Sequence, residues 1–385
     1  MSGALKRDEW ETVRLGDVCD VRDGTHDSPK YILEGGYPLV TSKNIQNDSI
    51  NLTDVNFISE TDYLAINKRS RVDDGDILMP MIGTIGNPII VKKTFAFAIK
   101  NLALIKFEDA TLLNRYVLYL LSSEYFSNYI LSENRGGTQK FLSLNAIRNF
   151  TFPLPPLDIQ RRIADTLDKV TELITLRKTQ LEKLDELVKA RFVELFEGKY
   201  ATIKIGDIFS TTSGGTPSKS HPEYYENGTV PWLSSGEVNI GVIHSVKNYI
   251  TQEGVDNSSA KMVPENSVVI AMYGATAGQV GLLRIATTTN QAVCSVLPDS
   301  RYVPEYLYYA IRSKKDWMIS QCAGGAQPNI SQGVIKRMEI IDAPYEFQKQ
   351  FASFVEQTDK SKVIIQQSLD TLETLKKSLM QEYFG

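Results

Sequence analysis

The chain has 385 residues, of which 42% are hydrophobic and 23% are charged, and its formal net charge is −4. This length allows two or three domains with hydrophobic cores of their own, and the composition is ordinary for a soluble protein. The negative charge argues against a nucleic-acid binder that relies on its own surface alone, because phosphate neutralisation supplies much of the affinity of such proteins.

The sequence also argues against a membrane protein and a secreted protein. It contains no apolar run of about 18 residues, and its first residues, Met-Ser-Gly-Ala-Leu-Lys-Arg, lack the apolar core of a signal peptide. Cys19, Cys294 and Cys322 are scattered without a C-x-x-C pair, which indicates neither a disulfide framework nor a zinc site. We therefore expect a cytoplasmic protein without membrane contact.

Residues 1–153 form the first predicted domain. Short apolar runs alternate there with Gly, Pro, Asn and Ser, a pattern typical of strands joined by tight turns. The clearest strand is residues 77–84, and a helix rich in Leu and Tyr is expected over residues 114–129. Strands followed by helices predict an α+β domain.

Residues 154–198 form the second predicted segment, a long helix. Apolar residues recur there at alternating spacings of four and three, which is typical of a coiled coil. Asp158 is the expected N-cap, and Gly198 is placed to end the helix. Only Arg177 and Arg191 interrupt the apolar seam, so they either pair with acidic residues across it or face a partner protein. The alternative is plain exposure through a small error of register.

Residues 199–385 repeat this organisation. A second domain is therefore predicted over residues 199–342, with a helix over residues 304–321, and a second long helix over residues 343–385. The repeat is one domain plus one helix, far longer than the units of a solenoid. Among the matching positions are Gly16 and Gly206, residues 77–84 and 268–275, Gln160 and Gln348, and Phe196 and Phe384.

The two long helices are expected to pair with each other. A helix of about 40 residues spans roughly 60 Å, and an apolar seam of that length needs a partner. The nearest one lies in the same chain, which predicts an antiparallel pair with the domains towards opposite ends. A parallel coiled coil between two copies of the chain is the alternative.

The junctions between domains and helices carry a family resemblance. The first half has Gly-Gly-Thr-Gln-Lys-Phe-Leu-Ser at 136–143 and Phe-Pro-Leu-Pro-Pro-Leu-Asp-Ile-Gln-Arg-Arg-Ile-Ala at 152–164. The second half has Met-Tyr-Gly-Ala-Thr-Ala-Gly at 272–278 and Gly-Ala-Gln-Pro-Asn-Ile-Ser at 325–331. In this order, and in duplicate, these motifs resemble the specificity subunit of type I restriction-modification systems over essentially the whole chain. The second junction departs from the pattern, because residues 342–348 lack Leu-Pro-Pro.

The resemblance implies a non-catalytic subunit that reads a two-part sequence in double-stranded DNA, one part per domain. It implies that the helices set the spacing and dock two adenine-N6 methyltransferase subunits, which would use S-adenosylmethionine. Where a motor-nuclease subunit joins them, that partner would bring ATP and Mg²⁺. The chain itself would bind no cofactor, and the methyltransferases would supply phosphate contacts that its negative charge leaves weak.

The residues themselves do not predict catalysis. The sequence contains no G-x-x-x-x-G-K-[ST] loop, no G-x-G-x-x-G fingerprint and no Asn/Asp-Pro-Pro-aromatic motif. His26, His221 and His244 lie in polar segments without metal-ligand spacing, and we expect them at the surface. The alternative class is a coiled-coil scaffold whose paired domains bind proteins or glycans. A catalytic nuclease or methyltransferase has no supporting residues.

Shared and unshared segments are expected to do different work. Features common to both domains cannot distinguish two half-sites, so the glycine-rich loops are expected to hold phosphate or shape the backbone; a structural turn is the alternative. Candidates for this positioning role are Thr138, Gln139, Lys140, Gln327 and Asn329. Base contacts are expected from segments that differ between the halves. The candidates there are Lys43, Asn44, Arg69, Arg71, Lys219, Tyr224 and Tyr225.

The outer faces of the helices and the flanking segments 136–160 and 324–348 are expected to form two similar partner sites. The candidates there are Gln160, Arg177, Arg191 and Gln348. If both domains meet the same face of B-DNA, the half-sites should lie about one helical turn, 34–36 Å, apart.

Overall fold

The structure is a computed structural model of the chain. It describes residues 10–46, 48–83, 85–107, 111–133, 141–322 and 329–385. The chain divides into two compact units, of which the first combines Met1–Lys178 with Gln367–Gly385 and the second is Thr179–Gln366. Within the described ranges, no helix is both long and apolar enough to cross a membrane.

The strands and short helices described in the first unit all precede a long helix, which begins in this unit. The strands are β1 (Glu11–Arg14), β2 (Asp20–Asp23), β3 (Tyr31–Ile32), β4 (Tyr37–Val40), β5 (Ile45–Gln46), β6 (Ser49–Ile50), β7 (Asn56–Ile58), β8 (Ile77–Pro80), β9 (Ile89–Ile90), β10 (Ala98–Ile99), β11 (Leu102–Lys106) and β12 (Thr151–Leu154). The helices are α1 (Leu15–Val18), α2 (Glu60–Ser70), α3 (Asn114–Leu121), α4 (Glu124–Glu133), α5 (Leu144–Asn149) and the long α6 (Leu157–Phe196).

The second unit repeats this order. Its strands are β13 (Thr202–Lys204), β14 (Thr211–Ser213), β15 (Val230–Leu233), β16 (Val242–Ile243), β17 (Asn248–Ile250), β18 (Met262–Val263), β19 (Val268–Ala271), β20 (Val280–Leu283), β21 (Thr287–Thr289), β22 (Val293–Val296) and β23 (Glu339–Ile341). Its helices are α7 (Ile205–Ile208), α8 (Gln252–Asp256), α9 (Pro304–Arg312), α10 (Lys315–Ser320), α11 (Gln332–Arg337) and the long α12 (Tyr345–Phe384), which ends in the first unit.

Each unit is built around a sheet of mainly antiparallel strands with a core on either face. The order is β2-β11-β8-β9 in the first unit. Ile77 and Met79 of β8 enter one core, whereas Leu78 enters the other. Burial on both faces explains why this strand is a continuous apolar run. A second sheet, β10-β4-β7-β3, contains the parallel pair β10 and β4, and β1 pairs with β12.

The second unit repeats the centre of this arrangement, and its central sheet has one more strand, β16, which pairs with β20 in parallel. Its central sheet is β14-β22-β19-β20-β16, its second sheet is β17-β15-β21-β18, and β13 pairs with β23. Val268 and Ile270 of β19 enter one core, and Val269 and Ala271 enter the other. The repeat in sequence is therefore a repeat in structure, and the predicted α+β class is confirmed for both units.

The helices predicted over residues 114–129 and 304–321 are each interrupted. In the first unit α3 and α4 are separated at Ser122 and Ser123, because the Ser123 hydroxyl accepts a hydrogen bond from the N–H of Phe126 (3.3 Å) and starts a new helix. In the second unit the corresponding helices are α9 and α10.

Both long helices contain 40 residues. Asp158 was predicted to be the N-cap of α6, and this prediction is wrong. The helix starts earlier, because the Pro156 carbonyl accepts hydrogen bonds from the N–H groups of Ile159 (2.9 Å) and Gln160 (3.0 Å). Asp158 lies in the first turn instead, where its charge is favourable to the helix dipole. Gly198 follows the helix with a φ of 71°, which suits a left-handed helix end.

In the first unit, the end of α12 completes the core that contains the start of α6. Phe384 is 2% exposed and belongs to the same cluster as Ile163 and Leu167. The ring of Phe384 lies 5.5 Å from that of Tyr116. Further along α6, Lys178 pairs with Glu373 (3.1 Å). Later residues of α6 thus meet earlier residues of α12, so the two segments run antiparallel.

In the second unit, the end of α6 packs on the start of α12. The rings of Phe192 and Phe196 lie 5.4 and 5.6 Å from that of Phe351. Asp185 pairs with Lys362 (2.7 Å), which again gives an antiparallel arrangement. The predicted antiparallel pairing is confirmed within each unit, and it uses the seam that the alternative parallel coiled coil would need.

Phe384→Ala is expected to lower the free energy of unfolding of the first unit by about 3–5 kcal/mol, because it removes a buried aromatic ring. Chemical denaturation with hydrogen exchange would measure the loss and assign it to the first unit. Leu375→Ala on the same helix, where the side chain is 44% exposed, is the control and should have a much smaller effect. Equal effects of the two substitutions would contradict the packing described.

Candidate nucleic-acid interface

In each unit, the turn that follows β2 or β14 packs against the end of the strand that precedes the neighbouring strand, β11 or β22. A Cβ atom on Gly24 would collide with the carbonyl of Ile99, and one on Gly214 would collide with that of Thr289. The next residue donates its N–H to that same carbonyl, from Thr25 (3.0 Å) and from Gly215 (2.9 Å). The two units therefore share this backbone contact, which only glycine permits.

The polar side chains next to this shared backbone contact differ between the two units. In the first unit the His26 ring lies between Asn101 Oδ1 (2.9 Å from Nδ1) and Asp23 Oδ2 (2.8 Å from Nε2). Asp23 is 6% exposed and also pairs with Arg69. In the second unit the Thr216 hydroxyl donates to Gln291 Oε1. The sequence alone did not single out Asn101 or Gln291, and it assigned His26 only to the surface.

These turns adjoin the described ends of the glycine-rich loops. In the first unit Asn101 O accepts from Met81 N (3.4 Å), and Met81 O accepts from Leu142 N (2.9 Å). In the second unit Ala292 O accepts from Met272 N (2.8 Å), and Met272 O accepts from Ile330 N (2.9 Å). The same two-step hydrogen-bond path therefore links each amide-bearing turn to the segment that follows the loop.

Of the predicted positioning residues, only Asn329 is described. It is exposed and forms an antiparallel bridge with Tyr273, as Phe141 does with Ile82 in the first unit. Thr138, Gln139, Lys140 and Gln327 lie outside the described residues. The positioning role stays a prediction.

Four candidates for base contact present exposed cations. Lys43 and Lys219 lie at the surface. The side chains of Arg69 and Arg71 are 65% and 71% exposed, although Arg69 pairs with Asp23 and Arg71 with Asp73 (3.2 Å). All four side chains are therefore accessible to a DNA molecule at the surface.

Asn44 and Tyr224 require a correction, because both are buried. Asn44 is 5% exposed; its Oδ1 accepts from Thr41 N (3.0 Å) and its Nδ2 donates to Asn51 O (3.1 Å). Tyr224 is 9% exposed and its ring stacks on His221. Both residues support loops and are not placed to read bases. Tyr225 is half-buried and donates its hydroxyl to the carbonyl of Pro217.

Two acidic residues near Gly75, Asp73 and Asp76, form hydrogen bonds with Lys106. Lys106 Nζ donates to Asp73 (2.9 Å) and Asp76 (2.8 Å). The hydrogen bond from Lys106 holds the pKa of Asp73 below its usual value, whereas burial raises the pKa of Asp76. Gly75 has a φ of 84°, in keeping with a tight turn.

Gln160 and Gln348 also require a correction, since they are 0% and 1% exposed and cannot contact a partner directly. Gln160 Oε1 accepts from Leu113 N (2.8 Å), and its Nε2 donates to the carbonyls of Thr111 and Pro155 (both 2.9 Å). Gln348 Oε1 accepts from Val303 N (2.8 Å), and its Nε2 donates to Ala343 O (2.8 Å). Each glutamine therefore fastens the entry of α3 or α9 to the start of a long helix.

The two seam arginines are half-buried. Arg191 pairs with Glu194 on its own helix (2.7 Å) and lies over the ring of Phe354 on α12, 6.0 Å from its centroid. It therefore contributes to the helix pair of the second unit, and its partner contact stays a prediction, as does that of Arg177.

Both units expose apolar side chains at equivalent levels of their helix pairs. Leu176 is 51% and Leu375 is 44% exposed in the first unit, and Leu187 is 49% and Ile364 is 68% exposed in the second. Ile364 follows Leu176 by 188 residues, and Leu375 follows Leu187 by the same separation, which also relates Gln160 to Gln348. Because Lys178 pairs with Glu373, Leu176 and Leu375 lie within about one helical turn of each other along the helices. The ion pair Asp185–Lys362 places Leu187 and Ile364 in the same way.

The units differ beside these pairs. In the first unit an open cleft of about 1020 Å³ lies between the globular domain and both helices, and Lys376 lines it. Burial lowers the pKa of Lys376. The equivalent residue of the second unit, Val188, is fully buried in the core. The two helix surfaces are therefore similar but not identical.

The fold defines a class of protein in which one α+β unit and one long helix occur twice. Two solved structures share it. The type I restriction-modification S subunit of M. genitalium has a TM-score of 0.57 at 15% identity, covering 100% of this chain and 99% of that one. A chain from a study of assembly and conformational transition of the type I R-M system has a TM-score of 0.62 at 18% identity, covering 97% of both. At these identities the likeness concerns the fold alone.

The model of the type I restriction modification DNA specificity domain matches residues 7–186 and again residues 197–374. The chain belongs to this family. The EcoR124I/EcoR124II specificity subunit of Escherichia coli is 30% identical over 220 residues, 54% of this chain and 53% of that protein, so this match spans about half of each. The putative MjaX specificity subunit of Methanocaldococcus jannaschii is 24% identical over 403 residues, 97% of this chain and 92% of that protein.

Gln348→Leu is expected to destabilise the second unit by about 1–3 kcal/mol for each polar group left unsatisfied, because it leaves Val303 N and Ala343 O without their side-chain partner. The midpoint of chemical denaturation measures the effect. Gln357→Leu, at an exposed position of the same helix, is the control and should shift stability by no more than about 0.5 kcal/mol. Unchanged stability of Gln348→Leu would exclude the fastening role.

Proposed function

We propose that the chain is the DNA-reading subunit of a type I restriction-modification complex. Each unit binds one part of an asymmetric two-part target in double-stranded DNA, and partner subunits carry out the catalysis. The observation that carries the proposal is the duplicated match to the DNA specificity family. The contact of Gly24 and Gly214 adds support, because the two units keep one backbone there and change its exposed side chains.

The net charge of −4 is compatible with this role if DNA is held jointly. Lys43, Arg69, Arg71 and Lys219 offer local positive charge at the surface. A partner that encloses the duplex would supply the further phosphate contacts on which affinity depends.

The long helices are proposed as the spacer between the half-sites. Each is 40 residues long, and the paired segments run antiparallel, as the contacts Lys178–Glu373 in one unit and Asp185–Lys362 in the other indicate. A stiff spacer predicts a non-specific gap of constant length, with the half-sites about one turn of B-DNA apart.

The helix pairs are also proposed to dock two adenine-N6 methyltransferase subunits, which bring S-adenosylmethionine. Where a motor-nuclease subunit joins the complex, it brings ATP and Mg²⁺. Support comes from the matched exposed pairs, Leu176 with Leu375 and Leu187 with Ile364, because two equivalent apolar surfaces suit two copies of one partner.

DNA from cells that express the chain with its methyltransferase is expected to carry N6-methyladenine at a single bipartite, asymmetric sequence with a gap of fixed length. Single-molecule mapping of modified bases measures this, and a gel shift of the purified complex at stated salt confirms binding to the mapped duplex. Cells with the methyltransferase alone are the control. Random modification, or binding of the chain to a protein or glycan and not to DNA, would favour the scaffold alternative.

The double variant Leu176→Glu and Leu375→Glu is expected to remove one methyltransferase copy, and Leu187→Glu with Ile364→Glu the other, because each introduces charge into an apolar contact. Native mass spectrometry of the co-purified complex counts the copies. Leu33→Glu, at a side chain that is 99% exposed in the first globular domain, is the control and should keep both.

A full complement of methyltransferase with all four helix positions changed would exclude this surface from the interface. Arg177→Glu and Arg191→Glu, assayed in the same way, test the two seam arginines.

A further inference from the structure

We infer that Asn101 and Gln291 are specificity-determining residues, each of which reads an adenine in the major groove of one half-site. This inference rests on the proposed DNA-reading function and names side chains of that same interface.

The first argument is equivalence of position. Lys100 N donates to Val40 O (2.9 Å) in the first unit, and Asn290 N donates to Leu233 O (3.0 Å) in the second. After the turn, Leu102 O accepts from Gly24 N (2.9 Å), and Val293 O accepts from Gly214 N (3.3 Å). Asn101 and Gln291 therefore occupy the same turn, between the same neighbouring strands.

The second argument is that this shared turn differs in ways that change recognition. Lys100 and Asn101 fill it in the first unit, whereas residues 290–292 fill it in the second, so the second turn is one residue longer. The side chain of Gln291 is also one methylene longer than that of Asn101. Two amides with different reach suit two half-sites that place the recognised base differently.

The third argument is chemical. An Asn or Gln amide matches the major-groove edge of adenine, because its oxygen accepts from N6 and its nitrogen donates to N7. Asn101 is partly exposed and Gln291 is exposed. Their oxygens face His26 and Thr216, but a carbonyl oxygen has a second lone pair. Among the hydrogen bonds of the described residues, none uses either amide nitrogen, so both can donate to a base.

The fourth argument is orientation. Arg69, Asp23, His26 and Asn101 form a continuous line of polar contacts, anchored at the buried carboxylate of Asp23. Asn101 also has a φ of 54°, in the left-handed region that Asn and Asp tolerate best among residues with a side chain. The Asn101 side chain is thus held in place before DNA arrives, which lowers the entropy lost on binding.

The fifth argument is the neighbourhood. The backbone path through Met81 and Met272 connects these turns to the segments that follow the glycine-rich loops. Those loops are the predicted phosphate-positioning elements. A base-reading side chain linked to the segment that follows a phosphate-holding loop is an arrangement in which the phosphate contact fixes the register that the base contact reads.

The test uses the full chain, co-expressed and purified with its methyltransferase. Competition binding is measured against duplexes in which each base pair of the mapped target is changed in turn. Asn101→Asp keeps the side-chain shape and the tolerated φ but removes the amide donor. It is expected to lower discrimination at one adenine of one half-site about tenfold or more, with the other half-site unchanged. Gln291→Glu is expected to do the same in the other half-site.

The matched control is Asn87→Asp, an exposed asparagine of the first unit that also has a positive φ, 73°. It should leave every base preference unchanged. If thermal unfolding shows that Asn101→Asp does not fold, Asn101→Gly, which accepts the same φ, replaces it and is expected to lose the same preference.

Three results would overturn the inference. Unchanged base preferences in both variants would exclude the two amides. An equal loss of affinity for every duplex would indicate phosphate contacts instead. A relaxed preference at a base pair without adenine would assign the wrong base. In all three, the wild-type complex still shows its bipartite target; a wild-type complex without such a target would instead refute the proposed function, and the inference with it.

Discussion

The fold depends on each globular domain being closed by helix segments from distant parts of the chain. Phe384, one residue from the C-terminal residue, is buried against Tyr116 in the first unit, and Phe196 is buried with Tyr306 and Phe351 in the second. Because these rings sit inside domain cores, the helix pair and the domains are not separable modules. The buried glutamines Gln160 and Gln348 add a polar constraint of the same kind, since each joins the backbone of a domain helix to the start of a long helix. A polar side chain that is fully buried and fully hydrogen-bonded specifies one arrangement, because any shift leaves a group unsatisfied.

Much of this organisation follows from the sequence, for physical reasons that particular residues show. Strands β8 and β19 were predictable because burial on both faces forces a continuous apolar run. The helix seams were predictable because apolar residues recur at spacings of four and three, although three polar residues interrupt the second seam. Gly198 was predictable because few other residues adopt its φ. Gln160 and Gln348 were misplaced at surfaces, since a sequence shows that a side chain is polar but not that partners far along the chain satisfy it. Asn44 was misplaced although its partners Thr41 and Asn51 are near in sequence, because composition alone does not show that the local turn buries its amide. Asn101 was overlooked for a related reason. Its contact with His26 joins residues far apart in the chain, and the correspondence of its turn with that of Gln291 is hidden because the second turn is one residue longer.

The two halves share backbone structure and differ in side chains, and both kinds of feature occur within a single turn and not in separate segments. Gly24 and Gly214 make the same backbone contact, yet the residue two positions further on is His26 in one unit and Thr216 in the other. Such a turn can change its neighbouring side chains without disturbing the sheet, because the closest approach in both units is between the glycine and a backbone carbonyl. A duplicated chain can in this way keep one framework and alter one half of a two-part target independently of the other.

The two amides are supported unequally, and this has a consequence for recognition. Asn101 belongs to a line of contacts that ends at the buried Asp23, whereas the contact of Gln291 is with the single hydroxyl of Thr216. Gln also has one more rotatable bond than Asn, so more side-chain entropy is lost when Gln291 is ordered on DNA. If both amides read a base as inferred, with equal hydrogen bonding, the first unit would therefore bind its base at the smaller entropic cost. The second unit, with a longer turn and a longer side chain, would then accommodate more variation in DNA geometry at a larger entropic cost.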